Sequence, residues 1–179
     1  MRLSPLPADQ WDDAVRHAVA GMLPEERRNP DDAGNLLATL VHHPELTRAF
    51  LRFSVYLLYG STLPERVREQ AILRVAHRRG CDYEWTHHVT IGKRVGLSDA
   101  DIAAIQSGDP RDDFDRAVLT AVDELDEKTN LSDATWTALS ERLDERQRMD
   151  LVFTIGGYTA LAMGLNTFGV EVEDDRKER

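Results

Sequence analysis

Apolar residues recur three and four positions apart through most of the chain, between short breaks of Pro, Gly, Asp and Ser. This spacing collects them on one side of a helix, and no run alternates with the period of two that is typical of a strand. Pro, Asp or Ser stands before the apolar segments and Gly follows several of them, which is the usual distribution of residues at helix starts and ends. The pattern predicts an all-α protein.

The predicted helices follow one another with short connections. Their approximate ranges are residues 7–20, 31–42, 44–59, 64–79, 82–95, 99–106, 112–128 and 132–143, with a last long helix from residue 144. Residues 63–75 and 143–155 form a weak internal repeat at an offset of 80, in which Glu69 corresponds to Met149. The acid at this position therefore belongs to the first copy alone.

The length of 179 residues is typical of one domain with a single substantial core. Apolar residues make up 41% and charged residues 30% of the chain, a composition that suits a folded and well-solvated protein. We expect an N-terminal helical extension over residues 1–35, the main domain over residues 36–170 and a charged tail over residues 171–179.

The balance of charge argues against polyanionic partners. The chain has 32 acidic and 22 basic residues, and its net charge of −10 repels nucleic acids and anionic membrane surfaces. Residues 151–170 are apolar but are interrupted by Gly156, Gly157 and Asn166, so a core helix is expected there and not a membrane span. A single cysteine excludes an intramolecular disulfide, and without a recognisable secretory leader a cytoplasmic location is expected.

Polar groups able to transfer protons are concentrated in the fourth and fifth predicted helices. Cys81, Glu84 and His88 are three and four residues apart, so they lie on one face of one helix. Cys81 stands at a predicted helix start, where unpaired backbone N–H groups favour a thiolate. Glu69 lies among apolar residues of the preceding helix and is expected to face inward. These four residues are the candidates for acid–base chemistry.

Their spacing resembles that of the carboxymuconolactone decarboxylase and alkylhydroperoxidase D-like (AhpD-like) superfamily. Alkylhydroperoxidase D-like members carry a Glu, a Cys 12 positions later, a second Cys after three more and a His after four more, and this chain has Glu69, Cys81, Glu84 and His88 at those offsets. The flanking segments are similar to a subset with Cys-x-x-Glu in place of Cys-x-x-Cys, and the resemblance extends over about residues 36–169. It implies a single-domain, AhpD-like helical bundle that assembles as a homo-oligomer, either a dimer, a trimer or a hexamer.

The resemblance implies two activities. In the alkylhydroperoxidases two cysteines cycle between thiol and disulfide, but Glu84 occupies the position of the second cysteine here and cannot be oxidised in that way. The decarboxylases act on a small carboxylated lactone without a metal or an organic cofactor, and acid–base groups are all that they need. We therefore expect a cofactor-independent, decarboxylase-like lyase for a small organic acid, with Glu69, Cys81, Glu84 and His88 as its catalytic residues. The alternatives are a one-cysteine peroxidase that uses Cys81 with an external thiol, and a non-catalytic oligomeric module.

Three further residues are predicted to bind the small-molecule substrate. Tyr83 and His87 share a face next to that of Cys81, Glu84 and His88, although a core or subunit-contact role is the alternative for Tyr83. Arg74 belongs to a basic cluster that either receives a small anionic substrate or forms solvated helix faces. The other members of this cluster are Arg66, Arg68, Arg78 and Arg79.

No metal is expected. Cys81, Glu84, His87 and His88 are all possible ligands by residue type. The two adjacent histidines, however, point about 100° apart on a helix and cannot easily share one ion. A small molecule is therefore the predicted partner, in addition to further copies of the chain.

Overall fold

The computed structural model describes residues 1–173, and within them the chain is all-α with nine α-helices and no β-strand. The predicted fold class is confirmed. The helices are α1 (Asp13–Ala18), α2 (Pro30–Leu40), α3 (Pro44–Val55), α4 (Glu65–Arg78), α5 (Asp82–Arg94), α6 (Asp99–Ser107), α7 (Asp113–Lys128), α8 (Asp133–Ser140) and α9 (Glu145–Phe168).

The contacts divide the chain into two compact units. Unit 1 comprises Met1–Gly60 together with the segment that begins at Gly164, and unit 2 comprises Ser61–Met163. The domain boundaries predicted after residues 35 and 170 stay predictions. Of the predicted charged tail, residues 174–179 lie outside the described part of the chain.

Unit 1 is built on helices α1 to α3. Helix α1 is shorter than predicted because the carboxylate of Asp12 caps it, accepting a hydrogen bond from the Val15 N–H at 2.9 Å, while residues 8–10 form a separate 3₁₀ turn. Helix α2 is kinked at Gly34, whose φ of +65° is readily adopted only by glycine. The buried apolar core of this unit consists of Leu6, Trp11, Val15, Ala18, Val19, Ala33, Leu37, Ala38, Val41 and Leu51.

Helix α4 lies at the centre of unit 2. It packs against α5, α6 and α7, and all ten residues from 67 to 76 are buried. Over these ten residues the helix has no solvated face for its polar side chains. Its buried polar side chains are Arg68, Glu69, Gln70 and Arg74. Since buried charges must be paired, their partners define the charged interior of this unit.

The weak internal repeat coincides with two helix starts. Helix α4 begins at Glu65 and α9 at Glu145, which is the predicted offset of 80. The copies differ where the chemistry is expected, because Glu69 is completely buried whereas Met149 is 60% exposed.

Helix α9 has 24 residues and is, among the described residues, the one helix long and apolar enough to cross a bilayer by length and composition. A core helix meets the same criterion, and Leu151, Ile155 and Tyr158 of α9 are buried in the protein. Length and composition alone therefore decide nothing about a membrane.

Candidate active site

The turn between α4 and α5 brings the candidate residues together. Helix α4 ends at Arg78, Gly80 adopts a φ of +56°, and Cys81 is the N-cap of α5. The Cys81 N–H donates to the Ala76 carbonyl at 2.9 Å and closes the turn. Because the connection is this short, α5 folds back along α4 and residues of the two helices face one another.

Glu69, His88 and Glu84 form a continuous buried chain. His88 Nδ1 lies 2.6 Å from Oε2 of Glu69, and His88 Nε2 lies 3.4 Å from Oε2 of Glu84. Glu69 is completely buried, Glu84 is 4% exposed and His88 is 6% exposed. Glu69 thus faces inward, and Glu84 and His88 share one face of α5, as their spacing predicts.

Arg68 joins this chain on the far side of Glu69. Its Nε donates to Oε1 of Glu69 at 3.2 Å, and the side chain is itself buried. We call Arg68, Glu69, Glu84 and His88 the histidine cluster. With both glutamates ionised and His88 protonated, the formal charges of the histidine cluster sum to zero. Charges removed from water are tolerated only when they are balanced in this way.

His88 is the proton-carrying group of the cluster. Burial alone lowers the pKa of His88, because it disfavours the charged imidazolium. Hydrogen bonds to Glu69 and Glu84, together with their negative charges, outweigh burial and raise the pKa of His88 from 6.5 to about 9. His88 is therefore an imidazolium at neutral pH, and each of its ring N–H groups faces a carboxylate.

Cys81 lies at a helix start, as predicted, but it is not activated there. The side chain is 1% exposed, and this burial raises the pKa of the Cys81 thiol. The backbone N–H groups of Glu84 and Tyr83 act in the opposite direction without overcoming burial, and the negative charge of Glu84 raises the pKa further. The expectation that the helix start yields a thiolate is therefore wrong, because desolvation is the larger effect.

Of the three residues predicted to bind substrate, two contact each other and the third is engaged by other partners. Tyr83 is buried and its ring contacts that of the exposed His87, with centroids 4.4 Å apart. Arg74 donates from Nε and Nη2 to the carboxylate of Asp123, at 2.8 Å each. Its Nη1 donates to the carbonyl groups of residues 105 and 106 at 2.8 and 2.9 Å. Arg74 is thus committed to joining α4 to α6 and α7.

The other predicted arginines are also neutralised by acids. Arg66 donates two hydrogen bonds of 2.9 Å to Asp115, at a sequence separation of 49, the same separation as between Arg74 and Asp123. Arg78 pairs with Asp126 and Glu127, and Arg79 with Asp126. We call these arginines of the α4 segment (Arg66, Arg74, Arg78 and Arg79) and the acids of α7 the α4–α7 ladder. Neither alternative of the sequence analysis, a patch for a small anion or solvated helix faces, includes these acidic partners.

Two residues in or beside the histidine cluster, Arg68 and Tyr158, were not predicted from the sequence to contact it. Arg68 is grouped by sequence with the other arginines, yet it points to Glu69 and not to α7. Tyr158 of α9 approaches His88 edge to face, with ring centroids 5.1 Å apart. The contact of Arg68 could have been inferred from its position next to Glu69 in the sequence. For Tyr158 no spacing rule applies, because α9 is far from α5 along the chain.

The side chains of the histidine cluster are buried. Two clefts of the described surface are not lined by Glu69, Glu84 or His88. One, of about 170 Å³, lies in unit 1 beside His17, and the other, of about 560 Å³, lies in unit 2 along α6 and the start of α7. Among residues 1–173, no three His, Cys, Asp or Glu side chains are arranged to hold a metal ion.

Comparison with known proteins finds a family model that matches part of the chain. The family model described as the carboxymuconolactone decarboxylase family matches residues 44–127, which include the whole histidine cluster. Over these residues the chain is similar to the carboxymuconolactone decarboxylase family, and the all-α fold is that of AhpD-like solved structures. A search of curated proteins finds no match.

Solved structures share the fold at low sequence identity. An uncharacterised peroxidase-related protein with an alkylhydroperoxidase AhpD core from Ralstonia eutropha JMP134 is 17% identical, with a TM-score of 0.77 over 98% of this chain and 95% of that one. A peroxidase-related protein from Silicibacter sp. TM1040 is 16% identical, with a TM-score of 0.70 over 81% and 79% of the two chains. A protein of unknown function from Agrobacterium tumefaciens is 20% identical, with a TM-score of 0.66 over 75% and 94%.

Proposed function

We propose that the protein is a cofactor-independent, decarboxylase-like lyase for a small organic acid, with His88 as its proton donor. The observation that carries this proposal is the buried chain Glu69–His88–Glu84, which holds a protonated imidazole between two carboxylates. Such a group can deliver a proton to carbon at neutral pH without a metal. The proposal assigns the chain to the Cys-x-x-Glu subset of its superfamily.

The two contacts of His88 differ in a way that suits proton delivery. The Nδ1 contact with Glu69 is short, at 2.6 Å, and fixes the ring. The Nε2 contact with Glu84 is longer, at 3.4 Å, so it is the weaker of the two and the easier to exchange for a substrate. When the substrate carboxylate leaves as carbon dioxide, the electron pair of the broken C–C bond stays on carbon. That carbon takes the Nε2 proton, and neutral His88 is then reprotonated from solvent.

The proposal requires the cluster to open, because Glu69, Glu84 and His88 are closed off from solvent. Substrate binding must displace side chains around His88, and Tyr158 is the aromatic neighbour already in contact with the ring. Closure around the substrate would then exclude water, which strengthens the electrostatic interactions of the cluster.

The test is release of carbon dioxide from carboxymuconolactone and related small unsaturated lactone acids. We expect His88→Asn to lower kcat by about 10²- to 10⁴-fold, the usual contribution of a general acid. The matched control is His77→Asn, which removes an exposed histidine of α4 and should leave kcat unchanged. Equal activity of His88→Asn and the wild type would contradict the assignment of His88.

A one-cysteine peroxidase is the second candidate. It is favoured by the peroxidase-related names of the structural neighbours. The backbone N–H groups of Glu84 and Tyr83 also favour a Cys81 thiolate, although burial opposes it more strongly. The test is mass spectrometry after treatment with one equivalent of peroxide, with the unfolded chain as the control. Rapid oxidation of Cys81 in the folded protein supports this candidate, and oxidation only after unfolding excludes it.

We further propose a cytoplasmic homo-oligomer without nucleic-acid or membrane partners. The net charge of −10 supports the exclusion of polyanions. Self-association is supported by large apolar side chains on the outer face of α9, where Met149, Phe153 and Met163 are all exposed. Light scattering coupled to size exclusion measures the subunit count, and a monomer would contradict this part of the proposal.

A further inference from the structure

The arginines at positions 66, 68, 74, 78 and 79 do not share one role. Arg66, Arg74, Arg78 and Arg79 pair with acids of α7. Arg68 pairs instead with acids of its own helix: its Nε donates to Glu69 at 3.2 Å and its Nη2 lies 3.9 Å from the exposed Glu65. Arg68 therefore differs from the other four arginines in the acid with which it pairs.

The charges around His88 show why a cation is needed at this place. Glu69 faces the ring from α4, Glu84 from α5 and Tyr158 from α9, and Cys81 lies at the start of α5 near Glu84. Within the histidine cluster two carboxylates are opposed by one imidazolium, which leaves a buried net charge of −1 unless Arg68 is counted. An uncompensated buried charge is so unfavourable that the protein would bind a proton instead.

We infer that Arg68 is a positioning residue that sets the number of protons held by the histidine cluster, so that Glu69 stays a carboxylate and His88 a proton donor. The effect of Arg68 on catalysis rests on the proposed function, but its role in the charge balance of the histidine cluster does not. Arg68 acts through Glu69, which it holds on the side opposite to His88.

A double-mutant cycle between Arg68→Gln and Glu84→Gln tests the charge balance. At unchanged protonation each single variant leaves one unbalanced charge, −1 or +1, which costs free energy or forces a change in protonation, whereas the double variant is neutral without such a change. We expect the double variant to unfold at a higher urea concentration than Arg68→Gln alone. If its midpoint is equal or lower, the inference is overturned, because loss of packing alone gives additive effects. In the matched control cycle, Arg66→Gln replaces Arg68→Gln, and the effects should add because Arg66 pairs with Asp115.

Infrared spectroscopy at neutral pH gives a second readout that does not depend on activity. We expect a protonated-carboxyl band in Arg68→Gln that is absent from the wild type, from Arg68→Lys and from Arg66→Gln. Absence of the band in Arg68→Gln, or its presence in Arg68→Lys, would overturn the inference. Should the wild type release no carbon dioxide from any acid tested, the proposed function fails while the cycle and the spectrum still decide the role of Arg68.

Discussion

Helix α4 takes part in two sets of charged contacts, the α4–α7 ladder and the histidine cluster, and the two sets are organised differently. Toward α7, in the α4–α7 ladder, each arginine has at least one carboxylate, and several of the acids are partly open to solvent. In the histidine cluster two carboxylates share one imidazole and one guanidinium, and all four side chains are buried. The ladder therefore joins helices through pairs of permanent charges that solvent partly screens, whereas the charges of the cluster sum to zero in only one protonation state.

This difference separates a structural use of charge from a chemical one. The pair Arg66–Asp115 joins α4 to α7 through two hydrogen bonds of 2.9 Å. The pair Glu69–His88 contains a group that titrates, with its pKa moved to about 9. Perturbed titration of a buried group marks a functional site more often than an ion pair does.

The largest expected effect is that of Glu69→Gln. The amide keeps the shape of the side chain but leaves Arg68 and His88 opposed by Glu84 alone, so a buried charge loses its partner. We expect a loss of about 3–5 kcal/mol of unfolding free energy at neutral pH, measured by urea denaturation. A loss no greater than that of a ladder variant with the same chemical change, Glu127→Gln, would abolish the distinction between the two sets.

We expect the free energy of unfolding to depend on pH through the titration of His88. Because its folded-state pKa is raised to about 9 from 6.5, the stabilisation is fully present below pH 6.5 and is lost as the pH rises through about 9. The expected loss over this window is roughly 3 kcal/mol. Urea unfolding across the window measures it, and His87→Asn should leave the profile unchanged. A flat profile would mean that His88 does not hold its proton more tightly in the folded protein.

Arg74→Lys tests the most buried pair of the ladder. Lysine cannot replace the two hydrogen bonds to Asp123 and the two to backbone carbonyl groups at the same time. We expect a loss of about 1.5–3 kcal/mol, the range for hydrogen bonds to charged groups. The loss should vary little between pH 6.5 and 9, in contrast to the contribution of His88. A strong dependence in that range would indicate that the ladder, too, is coupled to a titrating group.

The smallest expected effect is that of Glu127→Gln. Glu127 is paired with Arg78 at 2.9 Å, but its side chain is 57% exposed. Solvent screening reduces such pairs to less than about 1 kcal/mol, and added salt should remove the difference from the wild type. A larger, salt-independent loss would contradict the view of the ladder as a screened, structural set of pairs.

Parts of both regions could be predicted because they depend on local spacing. The intervals between Cys81, Glu84 and His88 fix a shared helix face in any α-helix, and the turn at Gly80 follows from residue type. The ladder also leaves a trace, since Arg66 and Arg74 repeat the interval between Asp115 and Asp123. That trace becomes informative only once α4 and α7 are known to be neighbours.

The sequence by itself determined the all-α class, most helix bounds to within a few residues, and the resemblance to the superfamily, because periodicity, caps and motif intervals are local properties of the chain. Only the tertiary structure decided the electrostatics. Burial raised the pKa of Cys81 against the effect of its helix start, and two carboxylates raised that of His88 against burial. Arg68 was separated from its neighbours by its contact with Glu69. These outcomes depend on desolvation and on partners from different helices, which residue spacing does not encode.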